Sequence, residues 1–459
     1  MALENGLDKF KQFRYTIDNI AMQKYQRLAK IALNKLNFKE DAKIVAILGS
    51  RQVGKTTLLI DFSLDWKGKV IKYLGDRLED ALLWKGKFSD LKNKLEVAIG
   101  CPLEKIDLPV LLIFDEVQKI PEAFNNLKIL HDEFKEKIKI AISGSSSLSL
   151  LHRTSESLGG RVEIVNMYPL SFTEILSGAP RPLWMEKSRM DFETIRSEAL
   201  GFSDANERAE NVLDKALSYG LFPEAYLQDN IDEVKLLHQN YHQTYIEKDV
   251  RDLREVGNVL DFDLVWKIAH RTCGQILNYT NISRETGLAF NTVKKYISVL
   301  IASFNVCLLP SFCKDIRSRL VKSPKLFSVD IGFFNHCLNL YGKANLISSQ
   351  LVGRTFESLM VSEFFKQERS YLFGGEPYFF RTAAGAEVDL VVEQGLDLFA
   401  YEFKYSEKVT NSDFSGIRSL MELSKGRLKR GFVLSRQSHA EKFADNLFAV
   451  PWWFFCSVN

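Results

Sequence analysis

Residues Gly49-Ser50-Arg51-Gln52-Val53-Gly54-Lys55-Thr56-Thr57 carry the pattern G-x-x-x-x-G-K-T between an apolar run, Ile44–Leu48, and a helix-like stretch. Each part has a chemical use. Gly49 and Gly54 let the backbone turn with its N–H groups facing inward, where a side chain would block a phosphate. Lys55 sets an ammonium against the β- and γ-phosphates, and Thr56 offers a hydroxyl to Mg²⁺. The helix that begins here adds the positive end of its dipole. A second element is Pro109-Val110-Leu111-Leu112-Ile113-Phe114-Asp115-Glu116. Its unbroken apolar run suits a strand buried on both faces. Asp115 at its carboxyl end is placed to support Mg²⁺, and Glu116 to deprotonate the attacking water. The two together predict binding and hydrolysis of a nucleoside triphosphate, ATP or GTP, with ATP and Mg²⁺ the expected cofactors.

Two further polar positions follow. Ser143, in Ile142-Ser143-Gly144-Ser145-Ser146, ends an apolar strand where a γ-phosphate sensor could sit, with Ser145 an alternative and plain turn chemistry the simpler reading. Arg161, in Leu158-Gly159-Gly160-Arg161, is either a finger reaching the nucleotide of a neighbouring subunit or a surface ion pair.

These motifs occur in order, with Tyr168-Pro169-Leu170-Ser171-Phe172 after them and Tyr245-Ile246-Glu247-Lys248-Asp249-Val250-Arg251 and Ser323-Pro324-Lys325-Leu326 further on. Together they resemble the prokaryotic AAA-type ATPases that carry a C-terminal domain of uncharacterised function. The resemblance covers nearly the whole chain. It implies an AAA-like core, a helical region, a winged helix and a nuclease-like end.

The C-terminal third has its own candidate chemistry. Glu357 lies in a helix-like apolar stretch; Glu387 and Asp389 alternate with Val388 and Leu390 on one strand; Glu402 and Lys404 flank Phe403 on the next. Alternation places each pair on one face. An acid on a helix, then Asp389, then Glu402-x-Lys404, resembles the PD-(D/E)XK nuclease-like fold, although Val388 rather than Pro precedes Asp389. On that resemblance Asp389 and Glu402 would hold a divalent cation, Glu357 would assist at the metal, and Lys404 would orient the nucleophile or offset developing charge. Alternating charge on a half-exposed strand is the plainer account.

The elements that must position these groups alternate β and α from Asp41, the mark of a parallel sheet covered by helices. Strands are expected at Lys43–Leu48, Lys69–Leu74, Leu108–Phe114, Lys139–Ile142 and Arg161–Val165. The fold class is α/β: N-terminal helices over 1–40, a P-loop AAA-like core over 41–175, a helical lid or connector over 176–260, a winged helix over 261–325, and a PD-(D/E)XK nuclease-like α/β domain over 326–459. In the winged helix, Leu264–Thr272 and Asn281–Thr286 precede a recognition helix, Asn291–Phe304. That helix offers Thr292, Lys294, Lys295 and Tyr296 to a groove, and the hairpin after it carries Lys314, Arg317, Arg319, Lys322 and Lys325. Strands Tyr378–Arg381, Glu387–Glu393 and Leu398–Tyr405 complete the last domain, and Pro451-Trp452-Trp453-Phe454-Phe455 reads as an aromatic edge strand.

Composition narrows the classes. The formal net charge of +3 over 459 residues is too small to indicate nucleic acid alone, so any basic surface is local. The six cysteines form no C-x-x-C and no zinc spacing, which suits reduced thiols in a cytosolic protein. The start, Met1-Ala2-Leu3-Glu4-Asn5, has no apolar core of a signal peptide, and no apolar run reaches the length of a membrane span. A cytoplasmic protein is expected, with DNA as partner and homo-oligomers in view, and no membrane. The expected function is an ATPase coupled to a nucleic-acid-directed module with Mg²⁺-dependent nuclease chemistry. The alternative is a nucleotide-controlled interaction switch whose nuclease-like domain cuts nothing. A helicase-like motor is weaker, because no second set of motor motifs is present.

Overall fold

The structure, a computed structural model, describes residues 25–38, 43–144, 158–200, 203–246, 257–313, 322–370 and 375–457. The chain divides into two compact units, Met1–Tyr168 and Pro169–Asn459. Of the N-terminal helices expected over 1–40, only helix α1 (Ala29–Phe38) lies within the described residues.

The first unit is built on five parallel strands: β1 (Ile44–Leu48), β2 (Val70–Leu74), β3 (Val110–Asp115), β4 (Ile138–Gly144) and β5 (Val162–Asn166). Their order across the sheet is β2-β3-β4-β1-β5. β1, β3 and β4 are buried along their whole length, which is why they read as unbroken apolar runs. Because all five run parallel, the segments after β1, β3 and β4 emerge on the same edge, where ligands of open α/β sheets bind. Helix α2 (Lys55–Leu64) follows β1, and helix α3 (Ala123–Phe134) lies between β3 and β4.

The second unit begins with a short helix, α4 (Phe172–Leu176), then α5 (Ser203–Tyr219) and α6 (Ile231–Thr244). Next come α7 (Val259–Arg271), α8 (Tyr279–Thr286) and α9 (Phe290–Ala302). A small antiparallel sheet closes against them, β6 (Gln275–Ile276), β7 (Val306–Leu309) and β8 (Lys325–Ser328), with β8 in the middle. Asn258 caps α7 and Asn278 caps α8 by accepting backbone N–H bonds, and Gly287 ends α8 at φ 72°. The turn between α8 and α9 thus forms at Gly287-Leu288-Ala289.

After α10 (Ile331–Leu338) comes the long helix α11 (Val352–Ser370), buried around most of its circumference. It is followed by a mixed six-stranded sheet: β9 (Glu376–Arg381), β10 (Glu387–Gln394), β11 (Asp397–Phe403), β12 (Leu428–Ser435), β13 (Glu441–Ala444) and β14 (Leu447–Pro451), in the order β13-β14-β12-β11-β10-β9. β11 and β12 pair in parallel, and helix α12 (Ser415–Ser424) makes the crossover. Beyond β7, Phe312 N–H donates to Phe379 O (2.6 Å) and Phe379 N–H to Pro310 O (2.9 Å), tying the small sheet to β9. Trp452–Cys456 is a buried helical turn after β14, and β14 itself lies between β12 and β13. The expected aromatic edge strand is therefore an interior segment, because its rings complete a core with Trp184, Tyr401 and Phe432.

Candidate nucleotide site and a carboxylate cluster

At the edge of the parallel sheet the backbone turns left-handed at Gln52 (φ 63°) and Gly54 (φ 92°), giving a concave row of N–H groups ahead of α2. Gly49 is fixed by contact as well: a Cβ there would lie 2.1 Å from Met167 O. The Lys55 ammonium folds back to donate to Gly49 O and Ser50 O, both at 2.8 Å. Arg27, ahead of α1, donates to Val53 O (2.7 Å) and so braces the loop from outside. Thr56 Oγ1 donates to Asp115 Oδ2 at 2.5 Å, and Ser143 Oγ donates to Asp115 Oδ1. Thr56 in the first turn of α2 and Ser143 near the end of β4 therefore meet at the carboxylate that ends β3.

Glu116, next to Asp115, adopts φ 53° and ψ 40°, a left-handed conformation that costs a non-glycine residue about 1–3 kcal/mol. Its carboxylate accepts a hydrogen bond from Gln118 Nε2 at 2.5 Å. The strained turn swings Glu116 out of line with β3, and Gln118 holds the carboxylate there. Sequence reasoning misses Gln118; its place two residues after Glu116 is the signal that could find it.

The residues fit a nucleotide with its cation. Ser50 Oγ, in the loop, is buried with no hydrogen-bond partner among the described residues, an orphaned polar atom that a phosphate oxygen would satisfy. Thr56 and Asp115 present hard oxygen donors, the set Mg²⁺ prefers. Arg51, Gln52, Val53 and Thr57 contribute as loop and first-turn backbone, with Val53 and Thr57 buried.

Arg161 is elsewhere. It precedes β5, and its carbonyl accepts the N–H of Ile44 (2.9 Å) at the start of β1, whereas the loop follows the end of β1. A strand of this length puts about 15 Å between the two. Its guanidinium grips Asp132 on α3 through two bonds of 2.6 and 2.9 Å. Within one chain it does not join the site. Ser145, the alternative sensor, lies outside the described residues.

Residues 41–176 match the AAA domain family. Over that stretch the similarity supports an AAA-type ATPase. Further along, the chain matches two families described only as domains of unknown function, DUF8612 over 210–344 and DUF4143 over 352–455. An uncharacterised protein of Mycobacterium tuberculosis and one of Mycobacterium bovis are each 24% identical over 413 residues, 89% of this chain and 80% of theirs. Among solved structures, a Walker-type ATPase of Pyrococcus abyssi aligns at TM-score 0.39 and 14% identity over 68% of this chain and 94% of that one. The Holliday junction branch migration motor RuvB of Thermotoga maritima aligns at TM-score 0.28 and 15% identity, over 61% and 89%.

The second unit gathers the other candidate residues. Glu357 on α11, Glu387 and Asp389 on β10, and Glu402 on β11 converge, as the alternation on the strands requires. At their centre lies a residue expected on a basic hairpin. Lys325, first residue of β8, places its ammonium 2.8 Å from Glu357 Oε1, 2.6 Å from Glu387 Oε1 and 4.0 Å from Asp389 Oδ1. Asp389 Oδ2 accepts the Phe403 N–H at 2.9 Å, and Lys404 Nζ donates to Glu402 Oε1 at 2.8 Å. Arg381, across from Glu387 on β9, comes within 3.7 Å of it.

Burial and the neighbouring Asp389 push the Glu357 carboxyl up to about 7 and that of Glu402 up to about 8; burial also raises Asp389. Burial works to lower the Lys325 ammonium, but Glu357 and Asp389 outweigh it and hold it above its ordinary value. A divalent ion does not fit this arrangement, because the Lys325 ammonium already stands among Glu357, Glu387 and Asp389 and one oxygen each of Glu357, Asp389 and Glu402 is bonded from within the protein. Among the described residues no group of His, Cys, Asp and Glu is disposed to hold a metal.

The surface of α9 also departs from expectation. Lys294 and Lys295 are exposed and Thr292 half-buried, but Tyr296 is buried. Its ring packs edge-on against Phe262 at 5.3 Å. Tyr296 falls on the same face as Val293, Ile297 and Leu300, so core packing claims it. Lys322 is exposed, whereas Lys314, Arg317 and Arg319 lie outside the described residues. No helix among the described residues is long and apolar enough to cross a membrane.

Proposed function

We propose that the chain is a Mg²⁺-dependent ATPase whose nucleotide state controls a nucleic-acid-directed second unit. The observation that carries the first half is the meeting of Thr56, Ser143 and Asp115 beside Glu116 at one edge of the sheet. With ATP bound, the loop N–H groups and Lys55 take the β- and γ-phosphates, Lys55 exchanging its contacts with Gly49 O and Ser50 O for phosphate oxygens. Thr56 and Asp115 would hold Mg²⁺, which supplies charge neutralisation on the phosphates when bound. Glu116 accepts a proton from the water that attacks the γ-phosphorus, the bond to the β-bridging oxygen breaks, and ADP leaves with phosphate. Gln118 keeps the Glu116 carboxylate aimed, and Ser143 couples Asp115 to β4.

Lys55→Ala is expected to abolish nucleotide binding, and Glu116→Gln to bind ATP while slowing phosphate release by about a hundredfold or more. Undiminished hydrolysis in Lys55→Ala would remove the assignment. Arg161, too far from its own loop, would act only on the nucleotide of a second copy in a homo-oligomer. Turnover that is independent of protein concentration, and equal in Arg161→Ala, would dispose of that role.

For the second unit, α7, α8, α9 and the β6-β8-β7 sheet support a winged-helix reading, with Lys294, Lys295 and Lys322 toward DNA phosphates. Affinity for duplex DNA should fall steeply with salt, and less steeply in Lys294→Ala/Lys295→Ala. Salt-independent binding would argue against it. The order α11, β9, β10, β11, α12, β12 supports a nuclease-like fold for the last domain. Lys325 among its acids favours the second reading, in which this domain serves as an interaction module without cutting. Plasmid incubated with Mg²⁺ or Mn²⁺, with and without ATP, separates the two: nicking that disappears in Asp389→Ala belongs to the nuclease reading.

A further inference from the structure

We propose that Lys325 is the built-in cation of the carboxylate cluster and that, with it in place, the second unit takes up no divalent metal ion there. The inference rests on reading Glu357, Asp389 and Glu402 as a nuclease-like acid set, and it concerns what neutralises them.

The ammonium satisfies its donors on the acids themselves: Glu357 Oε1 at 2.8 Å and Glu387 Oε1 at 2.6 Å, with Asp389 Oδ1 next at 4.0 Å. The remaining acids are also served from within the protein. Phe403 N–H bonds Asp389 Oδ2, Lys404 bonds Glu402 Oε1, and Arg381 lies 3.7 Å from Glu387. Among the described residues, Glu402 Oε2 is the one carboxylate oxygen of the cluster that is buried without a partner, and a hard cation needs several oxygens at about 2.0–2.6 Å.

Lys325 is also fixed from behind. Its backbone sits in the middle strand of the small sheet, in register with Leu309 on β7 and Ile276 on β6. Its side chain is 5% exposed, and its ammonium lies 5.7 Å from the centre of the Phe379 ring on β9. The bonds of Phe312 and Pro310 to Phe379 hold the strands on either side of it together. A lysine so anchored is a constituent of the cluster, contributed from a different sheet.

The test is Mn²⁺ binding to the full, nucleotide-free chain, read by the loss of the free-ion electron paramagnetic resonance signal. Wild type should show no uptake that Asp389→Asn removes. Lys325→Met, which keeps the apolar stem, should gain a site more than about a hundredfold tighter, because a unit positive charge at contact distance no longer repels the ion. Adding Asp389→Asn to that variant should abolish the gain. Mn²⁺ uptake by wild type that is lost in Asp389→Asn overturns the proposal while leaving the nuclease-like acid set intact. No uptake in either wild type or Lys325→Met overturns it together with that acid set.

If Lys325→Met does not fold, it is refolded with and without Mn²⁺. Recovery of its cooperative melting only with Mn²⁺, blocked by Asp389→Asn, supports the substitution of one cation for another. Failure in both conditions, with Lys325→Gln folded and metal-free, overturns it.

Discussion

Thr56 Oγ1 and Asp115 Oδ2 are hydrogen-bonded to each other at 2.5 Å, although they come from segments 59 residues apart. The hydroxyl and carboxylate suited to flank Mg²⁺ thus hold the phosphate loop and β3 in register beforehand, so little has to be built when a nucleotide arrives.

Ser143 shares that carboxylate through its other oxygen. Ser143→Ala should lower ATP turnover by about tenfold, roughly the worth of one hydrogen bond to a charged group, with nucleotide affinity nearly unchanged. Phosphate release and nucleotide titration on the same preparation check this. Equal losses in both would make Ser143 a binding residue instead.

Gly49 has no room for a methyl group, since a Cβ would meet Met167 O at 2.1 Å. Gly49→Ala should push the loop from β5, cost about 1–3 kcal/mol of first-unit stability and weaken ATP binding. Chemical denaturation with and without ATP reads both effects; a variant of wild-type stability and affinity contradicts the packing.

Four histidines crowd one region of the second unit: His238, His242, His270 and His336, around Trp266 and Phe333. Burial drives His238 and His270 down to about 3 and His336 down to about 4, from 6.5. These groups stay neutral in the folded chain while the unfolded chain binds their protons. Their stabilisation is complete above about pH 6.5 and is lost as pH falls toward 4 and 3. The slope reaches up to about 1.4 kcal/mol per pH unit for each histidine. Urea midpoints of the second unit at pH 7, 6 and 5 should therefore fall with growing steepness, and a flat profile over that window would count against the burial.

Glu368 on α11 tells the opposite story. Both its carboxylate oxygens are buried without a partner among the described residues, and burial pushes its carboxyl from 4.5 up to about 8. A folded-state value above the unfolded one means stability is highest below about pH 4.5 and declines as pH rises to about 8. Glu368→Gln should raise the melting temperature at pH 8, by the equivalent of about 1–3 kcal/mol, and change little at pH 4.5. Equal shifts at both pH values would point to packing alone.

Much of this is legible in the sequence where physics is local. The phosphate loop, Asp115-Glu116, the five strands of the first sheet and β9, β10 and β11 of the second follow from apolar runs, alternation and turn residues, with strand ends displaced by at most two residues, whereas β12, β13 and β14 are not expected. Ends fray because a single extra backbone bond decides them: Gly144 extends β4 by pairing with Leu48, while Arg161 drops out of β5. What the sequence does not carry is pairing across long separations. Lys325 reads as one more base on a basic hairpin, because its partners Glu357 and Glu387 are 32 and 62 positions away. Tyr296 reads as available to a groove until Phe262 claims its ring. Arg161 reads equally as a finger or a surface ion pair, and the choice depends on Asp132 and on β5 lying beside β1, an order no spacing reveals.

Helix α11 holds Glu357 in the acid cluster. Six positions further along it stands Glu363, whose carboxylate accepts the N–H groups of Phe172 (2.7 Å) and Thr173 (3.2 Å) at the start of α4. Six residues of helix span about 9 Å and do not stretch. The helix behaves as a rod pinned at two places along its length. Glu357 cannot slide along the axis unless Phe172 and Thr173 travel with it or give up both bonds. The stretch of chain a few residues beyond β5 is thereby geared to the position of an acid that lies almost two hundred residues further along the sequence.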